Sequence, residues 1–215
     1  DLSVVRHMAT RIGVLYLGAL VEIADSKELF KAPQHPYTRM LLGPMDYTPG
    51  IFGMETRSPG GVQTTWAKQL ALYVVIYSPI QMAADLLDNY EANPEPFQFI
   101  KDVPVDWSDS RTLDAALGDY VVVARKERNS DVWALGAITD EHPRVLSAPL
   151  GFLDAGRRYR AEIYRDGPDA SYTDRRESIV IEQREVTSAD VLTLALAPGG
   201  GQAIRFVPLG RSRRR

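Results

Sequence analysis

The chain has 215 residues, of which 45% are hydrophobic and 25% are charged, as expected of a globular protein with one or two domains. It contains no cysteine, which excludes disulfides, thiolate metal sites and a cysteine nucleophile. The net charge is −3, and the arginine-rich residues 210–215 leave the body of the chain more acidic than the whole. An acidic body argues against nucleic-acid binding, which usually needs a basic face. The sequence opens on Asp1 without a signal-peptide pattern, as expected of a processed product, a fragment or a truncated reading frame.

The first 44 residues predict a small αβ unit. In order, we expect a helix over 1–9, a β-hairpin of strands 12–16 and 19–24, a short helix after the capping-box pattern of 25–28, and a helix over 34–42. His7 and His35 lie in this unit, and neither has metal-ligand spacing with a second histidine or carboxylate. We therefore expect both to be surface residues.

The longest apolar run of the chain extends from Thr64 to Asp85. Its helical spacing predicts a helix from Trp66 that is capped by Thr64 or Thr65 and stops before Pro79, with Lys68 and Gln69 facing away from the core. The run is too interrupted by polar residues to span a bilayer. A short buried strand over 80–84 is expected next. Because this helix is apolar on most of its surface, other elements must cover it.

Residues 45–104 follow the order strand, loop, helix, strand, helix, which is typical of the last units of a parallel α/β barrel. The loops are expected over 53–63 and 86–96, and the last helix over 97–103. Asp46 and Asp85 end the two strands, where barrel enzymes place their chemistry, so both are candidate substrate-binding residues at the barrel mouth. The competing interpretation is a capping or loop-fixing role. Since most of a barrel is missing, we expect the helix to be poorly covered and to allow self-association.

Residues 105–209 alternate between apolar and polar side chains, as strands with one buried face do. The predicted strands cover 120–125, 132–138, 144–150, 157–164, 178–183, 191–197 and 202–207. They suggest an antiparallel β-sandwich, followed by a disordered basic tail over 210–215.

The segments DLSVVRHMATRIGVLYLGALVEIADSKELF and QHPYTRMLL carry a resemblance. Residues 1–44 resemble the C-terminal part of the ATP-binding subunit of oligopeptide or dipeptide ABC transporters. The sequence contains neither the phosphate-binding loop nor the Mg²⁺ carboxylate that ATP binding requires, so we expect no ATP site. The seam with the rest of the chain falls at about residues 42–45.

The segments MDYTPGIF, TTWAKQLALYVVIYSPIQMAADLLDNYE, FQFIKDVPVDWSDSRTLDAALGDYVVVARK, NSDVWALGAITDE, AEIYRDGPDA and LAPGGGQAIRF carry a second resemblance. Residues 45–209 resemble the C-terminal part of glycoside hydrolase family 97, which includes α-glucosidases and α-galactosidases. The resemblance implies an α+β, multi-part chain. Its expected parts are an αβ fragment over 1–44, the last strands and helices of an incomplete (β/α)₈ barrel over 45–104, and a complete sandwich over 105–209.

Glycoside hydrolysis needs two carboxylates that flank the scissile bond. In the resembled family these carboxylates, and the glutamates that hold its Ca²⁺, precede the segment similar to MDYTP. We therefore expect no catalytic residue, no metal site and no cofactor in this chain, and no activity of the chain alone. The parent family implies an α-linked sugar or oligosaccharide as ligand and a periplasmic or secreted location. Two alternatives remain open, a non-catalytic sandwich for packing or carbohydrate binding, and a fragment of a peptide ABC transporter ATPase. For carbohydrate binding, the candidate sugar-binding aromatics are Trp107, Trp133, Tyr164 and Tyr172, with core packing as the competing interpretation.

Overall fold

The computed structural model describes residues 5, 8–16, 19–31, 34, 48–53, 62–76, 78 and 81–210. In these residues the elements in chain order are β1 (Arg11–Tyr16), β2 (Ala19–Asp25), α1 (Ser26–Lys31), α2 (Trp66–Val75), α3 (Leu87–Ala92), α4 (Pro94–Asp102), β3 (Trp107–Ala116), β4 (Tyr120–Glu127), β5 (Trp133–Thr139), β6 (Arg144–Pro149), β7 (Tyr159–Asp166), β8 (Ile179–Val186), β9 (Val191–Leu196) and β10 (Gly201–Pro208). None of the helices within these ranges is long and apolar enough to cross a bilayer.

The N-terminal hairpin is confirmed, because β1 and β2 pair antiparallel. The short helix α1 follows directly, and the Asp25 side chain accepts a hydrogen bond from the backbone nitrogen of Lys27 at 2.9 Å. Leu29 of this helix is buried together with Val14 of the hairpin. Residues 35–42 of the helix predicted over 34–42, which include His35, lie outside the described residues, as do His7 and residues 211–215 of the predicted tail.

The centre of the fold is a six-stranded antiparallel sheet with the strand order β3-β4-β5-β10-β7-β8. A separate two-stranded antiparallel ribbon, β6–β9, lies against one face of this sheet. The predicted antiparallel sandwich is thereby confirmed, and each of the seven predicted strands overlaps an observed one. The first strand of the sheet, β3, escaped prediction because its sequence is mostly polar and its pairing with β4 is interrupted twice.

The ribbon side of the sheet is a continuous apolar core. Leu192, Leu194 and Leu196 point inward from β9 and meet Trp133 and Phe206 of the large sheet. Alternation along β9 is complete, since the residues between these leucines are exposed. Burial of one face of each strand is therefore the main stabilising contribution on this side.

The opposite face of the large sheet carries the helix α2. Ala67 and all residues from Leu70 to Val75 are buried. The helix approaches the sheet closely where two strands carry glycine: a Cβ atom on Gly136 would lie 2.7 Å from the carbonyl oxygen of Ala71, and one on Gly201 would lie 2.7 Å from the Cα of Lys68. Glycine at both positions lets helix and sheet pack at backbone distance.

Both ends of α2 are held by side chains of the sandwich. At the start, the Thr65 hydroxyl donates to Asp166 at 2.6 Å and accepts from the backbone nitrogen of Lys68. At the end, Arg125 is 2% exposed and donates from Nε to the carbonyl of Val74 at 2.6 Å and from Nη2 to that of Val75 at 3.0 Å. These donors satisfy carbonyls that a helix end leaves without intrahelical partners.

The prediction of a poorly covered helix available for self-association is therefore wrong. The six-stranded sheet is buried on both faces. The face opposite the ribbon covers α2, a role that we expected only the missing barrel strands to fill. One apolar cluster contains Leu70 and Phe99 from the predicted barrel part together with Trp107, Ala134 and Ala203 from the sandwich. Assignment of these helices to an incomplete barrel stays a prediction.

Two local predictions are also wrong. In place of a strand over 80–84, the described residues show a single bridge at Gln81 and no strand at 82–84. The predicted loop over 86–96 contains the helix α3, where Tyr90 is buried and stacks on Phe97 at a ring-centroid distance of 4.4 Å. Packing of this aromatic pair stabilises a turn of helix that the polar sequence alone does not predict.

Candidate functional site

Asp85 is the sequence-predicted site residue whose geometry the structure describes. One carboxylate oxygen accepts the backbone N–H groups of Phe52 and Gly53, at 2.6 and 2.5 Å. The other accepts the backbone N–H of Leu86 at 2.7 Å and the side-chain amide of Asn89 at 2.6 Å. Asp85 therefore binds the segment 48–53 to the start of α3.

These hydrogen bonds set the ionisation state of the carboxyl group. Burial by itself would raise the pKa of Asp85, but the donors from Gly53, Asn89, Leu86 and Phe52 outweigh it and hold the pKa below its usual value. The group is thus an anion at neutral pH. A carboxylate with a depressed pKa and four donors is suited to fix a loop, and it is a poor general acid.

Three further side chains hold the same segment. Oε1 of Gln69 accepts the backbone N–H of Gly50 at 2.9 Å and that of Ile51 at 3.2 Å. The Tyr73 hydroxyl donates to the carbonyl of Pro49 at 3.0 Å, and the Tyr90 hydroxyl donates to that of Gly50 at 2.8 Å.

Sequence reasoning missed all three of these residues. Gln69 was expected to face away from the core, yet it is buried. For Gln69 and Tyr73, the available signal was their position among the apolar residues of α2, since buried polar groups are nearly always hydrogen-bonded. We call the segment 48–53, which these three side chains and Asp85 bind, the held loop. The other predicted site residue, Asp46, lies outside the described residues.

The candidate sugar-binding aromatics divide into two groups. Trp107, Trp133 and Tyr164 are buried, so core packing is the correct interpretation for these three. Tyr172 is partly exposed and lines an open pocket of about 360 Å³. The other lining residues are Gln63, Lys68, Asp140, Glu141 and Gly199.

The charges around this pocket are largely committed to internal contacts. Nζ of Lys68 donates to the carbonyl of Thr139 at 2.6 Å. Burial lowers the pKa of Lys68, against the opposing effect of Asp140, Asp166 and Glu141. Asp140 pairs with Arg144, and this hydrogen bond is the main reason that the pKa of Asp140 is low.

Asp140, Glu141 and His142 have ligand atoms within 4.8 Å of one another, which is close enough to share a metal ion. Asp140 already accepts hydrogen bonds from Arg144 and from the backbone of His142, and the guanidinium neutralises its charge. A cation would have to displace Arg144. The cluster therefore does not fit the Ca²⁺ that the resembled family uses, which requires several available carboxylate oxygens.

Comparison with known proteins bears on the same region. Residues 106–207 match the sequence model described as glycosyl-hydrolase 97 C-terminal, oligomerisation. A retaining alpha-galactosidase of Bacteroides thetaiotaomicron is 37% identical over 180 residues, which cover 80% of this chain and 26% of that protein. A family 97 glycoside hydrolase of Pseudoalteromonas sp. strain K8, solved with acarbose, is 54% identical with a TM-score of 0.77, over 80% of this chain and 27% of that one.

The start of the chain matches other proteins. A probable D,D-dipeptide transport ATP-binding protein of Escherichia coli is 52% identical over 42 residues, which cover 20% of this chain and 14% of that protein. The chain as a whole spans about a quarter of the length of the glycosidases that it matches. Residues 45–209 thus resemble the C-terminal part of glycoside hydrolase family 97, and residues 1–44 resemble the C-terminal part of an ABC transporter ATP-binding subunit for oligopeptides or dipeptides.

Proposed function

We propose that residues 45–209 act as the non-catalytic C-terminal portion of a family 97 glycoside hydrolase. The parent reaction is hydrolysis of α-galactosides or α-glucosides, in keeping with relatives named retaining alpha-galactosidases and a similar enzyme solved with acarbose and with panose. The observation that carries the proposal is the held loop, which Gln69 and Tyr73 bind from α2, the helix that packs on the sandwich.

In this proposal the sandwich is a platform that fixes the last elements of the barrel. Gly136 and Gly201 let α2 pack at backbone distance, and α2 presents Gln69 and Tyr73 to the held loop. The loop begins two residues after Asp46, so its position restricts where a side chain at the end of that predicted strand can reach. Asp85 acts as a positioning residue, and Asp46 and Asp85 shape the sugar site of a complete barrel without performing the chemistry.

The chain alone is inactive in this proposal, because a glycosidase needs an acid and a second carboxylate on opposite sides of the bond. The low pKa of Asp85 does not suit the acid, and both of its oxygens accept hydrogen bonds, which does not suit a carboxylate that must attack the sugar or activate water.

Assay of the purified chain with nitrophenyl α-galactoside and α-glucoside, and with ATP, tests this claim. We expect no release of nitrophenol or phosphate above a blank, while the Bacteroides alpha-galactosidase at equal concentration serves as the positive control. Nitrophenol release that disappears in Asp46→Asn or Asp85→Asn would contradict the proposal.

The second part of the proposal is self-association. The family whose C-terminal domain matches residues 106–207 is described as oligomerising through that domain, and these residues cover nearly the whole sandwich. We therefore propose that the sandwich joins copies of the parent enzyme. Sedimentation equilibrium of the chain should show a reversible oligomer at micromolar concentration, whereas a monomer at every concentration would contradict this part.

A second candidate function is carbohydrate binding at the pocket beside Tyr172. Its specific support is the combination of a partly exposed aromatic ring with the amide of Gln63 and the carboxylate of Glu141, groups that stack on and hydrogen-bond to sugars. Retention on an α-glucan affinity gel that is lost in Tyr172→Ala would favour it. Passage of both proteins without delay would exclude it.

A further inference from the structure

The outer face of the ribbon β6–β9 differs from the other exposed strand surfaces. Six side chains point outward as three cross-strand pairs, Val145 with Ala195, Ser147 with Thr193, and Pro149 with Val191. All six are exposed and none is charged.

Two of these residues are large apolar side chains in water. Val145 is 75% exposed and Val191 is 58% exposed, and they lie at opposite ends of the ribbon on different strands. By contrast, the exposed stretch of β8, at the edge of the large sheet, is Glu182, Gln183, Arg184 and Glu185. Charged side chains on an edge strand prevent association with other chains, and the ribbon face carries no such protection.

We propose that the outer face of β6–β9 is the contact through which two copies of this chain associate. This inference rests on the proposed oligomerisation and names its surface. A second copy is the occupant because residues 106–207, which include both strands, match a family domain described as one of oligomerisation. An uncharged ribbon with a valine near each end can meet its own copy across a two-fold axis, since a self-complementary patch is what such an interface needs.

The size of the face predicts the strength of the contact. Two strands of six residues cover about 20 Å by 10 Å, or roughly 200 Å², from the rise per residue and the strand spacing. A standard interface buries about 800 Å² on each partner, so the ribbon forms the apolar centre and the turns at its ends form the rim. We therefore expect a reversible dimer in the micromolar range.

The first test introduces charge near both ends of the ribbon face. Val145→Asp combined with Val191→Asp should raise the dimer dissociation constant by about tenfold or more in sedimentation equilibrium, as loss of a buried anchor does. Leu117→Asp is the matched control, because Leu117 is also 75% exposed but lies in the turn between β3 and β4. It should leave the dissociation constant unchanged. Circular dichroism and the melting temperature establish that each variant is folded.

A second test uses the absence of cysteine in the chain. Ser147→Cys lies at the middle of the ribbon, near the proposed two-fold axis, and should form a disulfide-linked dimer under mild oxidation. Ser108→Cys, exposed on β3, should stay monomeric on the same gel.

The outcomes separate this inference from the proposed function. A wild-type oligomer that the valine variant does not weaken, or that Leu87→Asp at the exposed start of α3 dissociates instead, would overturn the ribbon contact and leave oligomerisation standing. A wild-type chain that is monomeric at all concentrations would overturn both.

Discussion

The two faces of the central sheet are buried by different means. On the ribbon side, the core contains apolar side chains such as Leu194, Ile204 and Phe206, which are all inaccessible to solvent. On the helix side, apolar packing is combined with buried polar groups, among them Arg125, Asp166 and Gln69, which hydrogen-bond to specific backbone atoms.

This difference shows which side stabilises the fold and which side positions other parts. Apolar packing is non-directional, so it favours a compact sandwich without fixing the attached elements to within a fraction of an ångström. Directional hydrogen bonds at both ends of α2 fix the helix and, through it, the held loop. We therefore expect ribbon-side substitutions to reduce global stability and helix-side substitutions to affect the position of the held loop as well.

The largest effect should come from the ribbon-side core. Phe206→Ala removes a fully buried ring that contacts Phe152 at a centroid distance of 5.6 Å. We expect the free energy of unfolding to fall by about 3–5 kcal/mol, as for other buried aromatics. Urea denaturation followed by tryptophan fluorescence measures the change. The amides of Gly50 to Gly53 should keep their protection from hydrogen exchange relative to the rest of the chain.

A smaller loss of stability with a local signature is expected for Arg125→Met. Methionine fills much of the space but leaves the carbonyls of Val74 and Val75 without their donors, at a cost of about 2–4 kcal/mol. Amides in the last turn of α2 should exchange faster than those of β9. Equal acceleration on both sides of the sheet would contradict the division of roles between the two faces.

Gln69→Ala should have a smaller and more local effect. It removes the acceptor of the Gly50 and Ile51 backbone N–H groups while α2 keeps its apolar contacts with the sheet. We expect hydrogen exchange at residues 50–53 to rise at least severalfold with little change in melting temperature. Lys68→Ala is the neighbouring control, because its side chain contacts Thr139 and not the held loop.

The smallest effect is a dependence on pH through Asp85. Its pKa in the folded protein is below the usual value of 3.8, so its stabilising contribution is present at neutral pH. That contribution begins to decline as the pH falls below about 4, and it is lost once the pH has fallen through the lowered pKa of the folded protein. In wild-type protein, protection of the Phe52 and Gly53 amides should therefore decrease over this range. In Asp85→Asn the protection of these amides should be low already at pH 7, because the side-chain NH₂ group of asparagine is itself a donor and would face two N–H donors.

Much of the fold could be predicted because its strands have one apolar side. The alternation of Leu192, Leu194 and Leu196 with exposed residues marks β9 without any structural knowledge. The covering of α2 could not be predicted in that way, because a strand whose second face is also buried carries no signal of what lies there. Gly136 in the middle of β5 was the available indication, since a glycine inside a strand often marks close approach of another backbone.

The candidate site was predictable only in part, for a related reason. The position of Asp85 at the end of an apolar run indicated either a substrate-binding residue or a residue that fixes a loop. The hydrogen bonds from Phe52 and Gly53 show that Asp85 fixes a loop. Its partners Gln69 and Tyr73 lie in a helix whose apolar pattern masked them. Pairings between a helix and a loop about 20 residues away depend on the tertiary structure, which local periodicity does not encode.

The central claim is that α2 and the sandwich form one cooperative unit that holds the loop 48–53. Hydrogen exchange of the intact chain in increasing urea tests it most directly. We predict that the amides of Leu70 to Val75 open with the same free energy as those of β5 and β10. Exchange of the helix within minutes, while β5 and β10 remain protected, would contradict the claim.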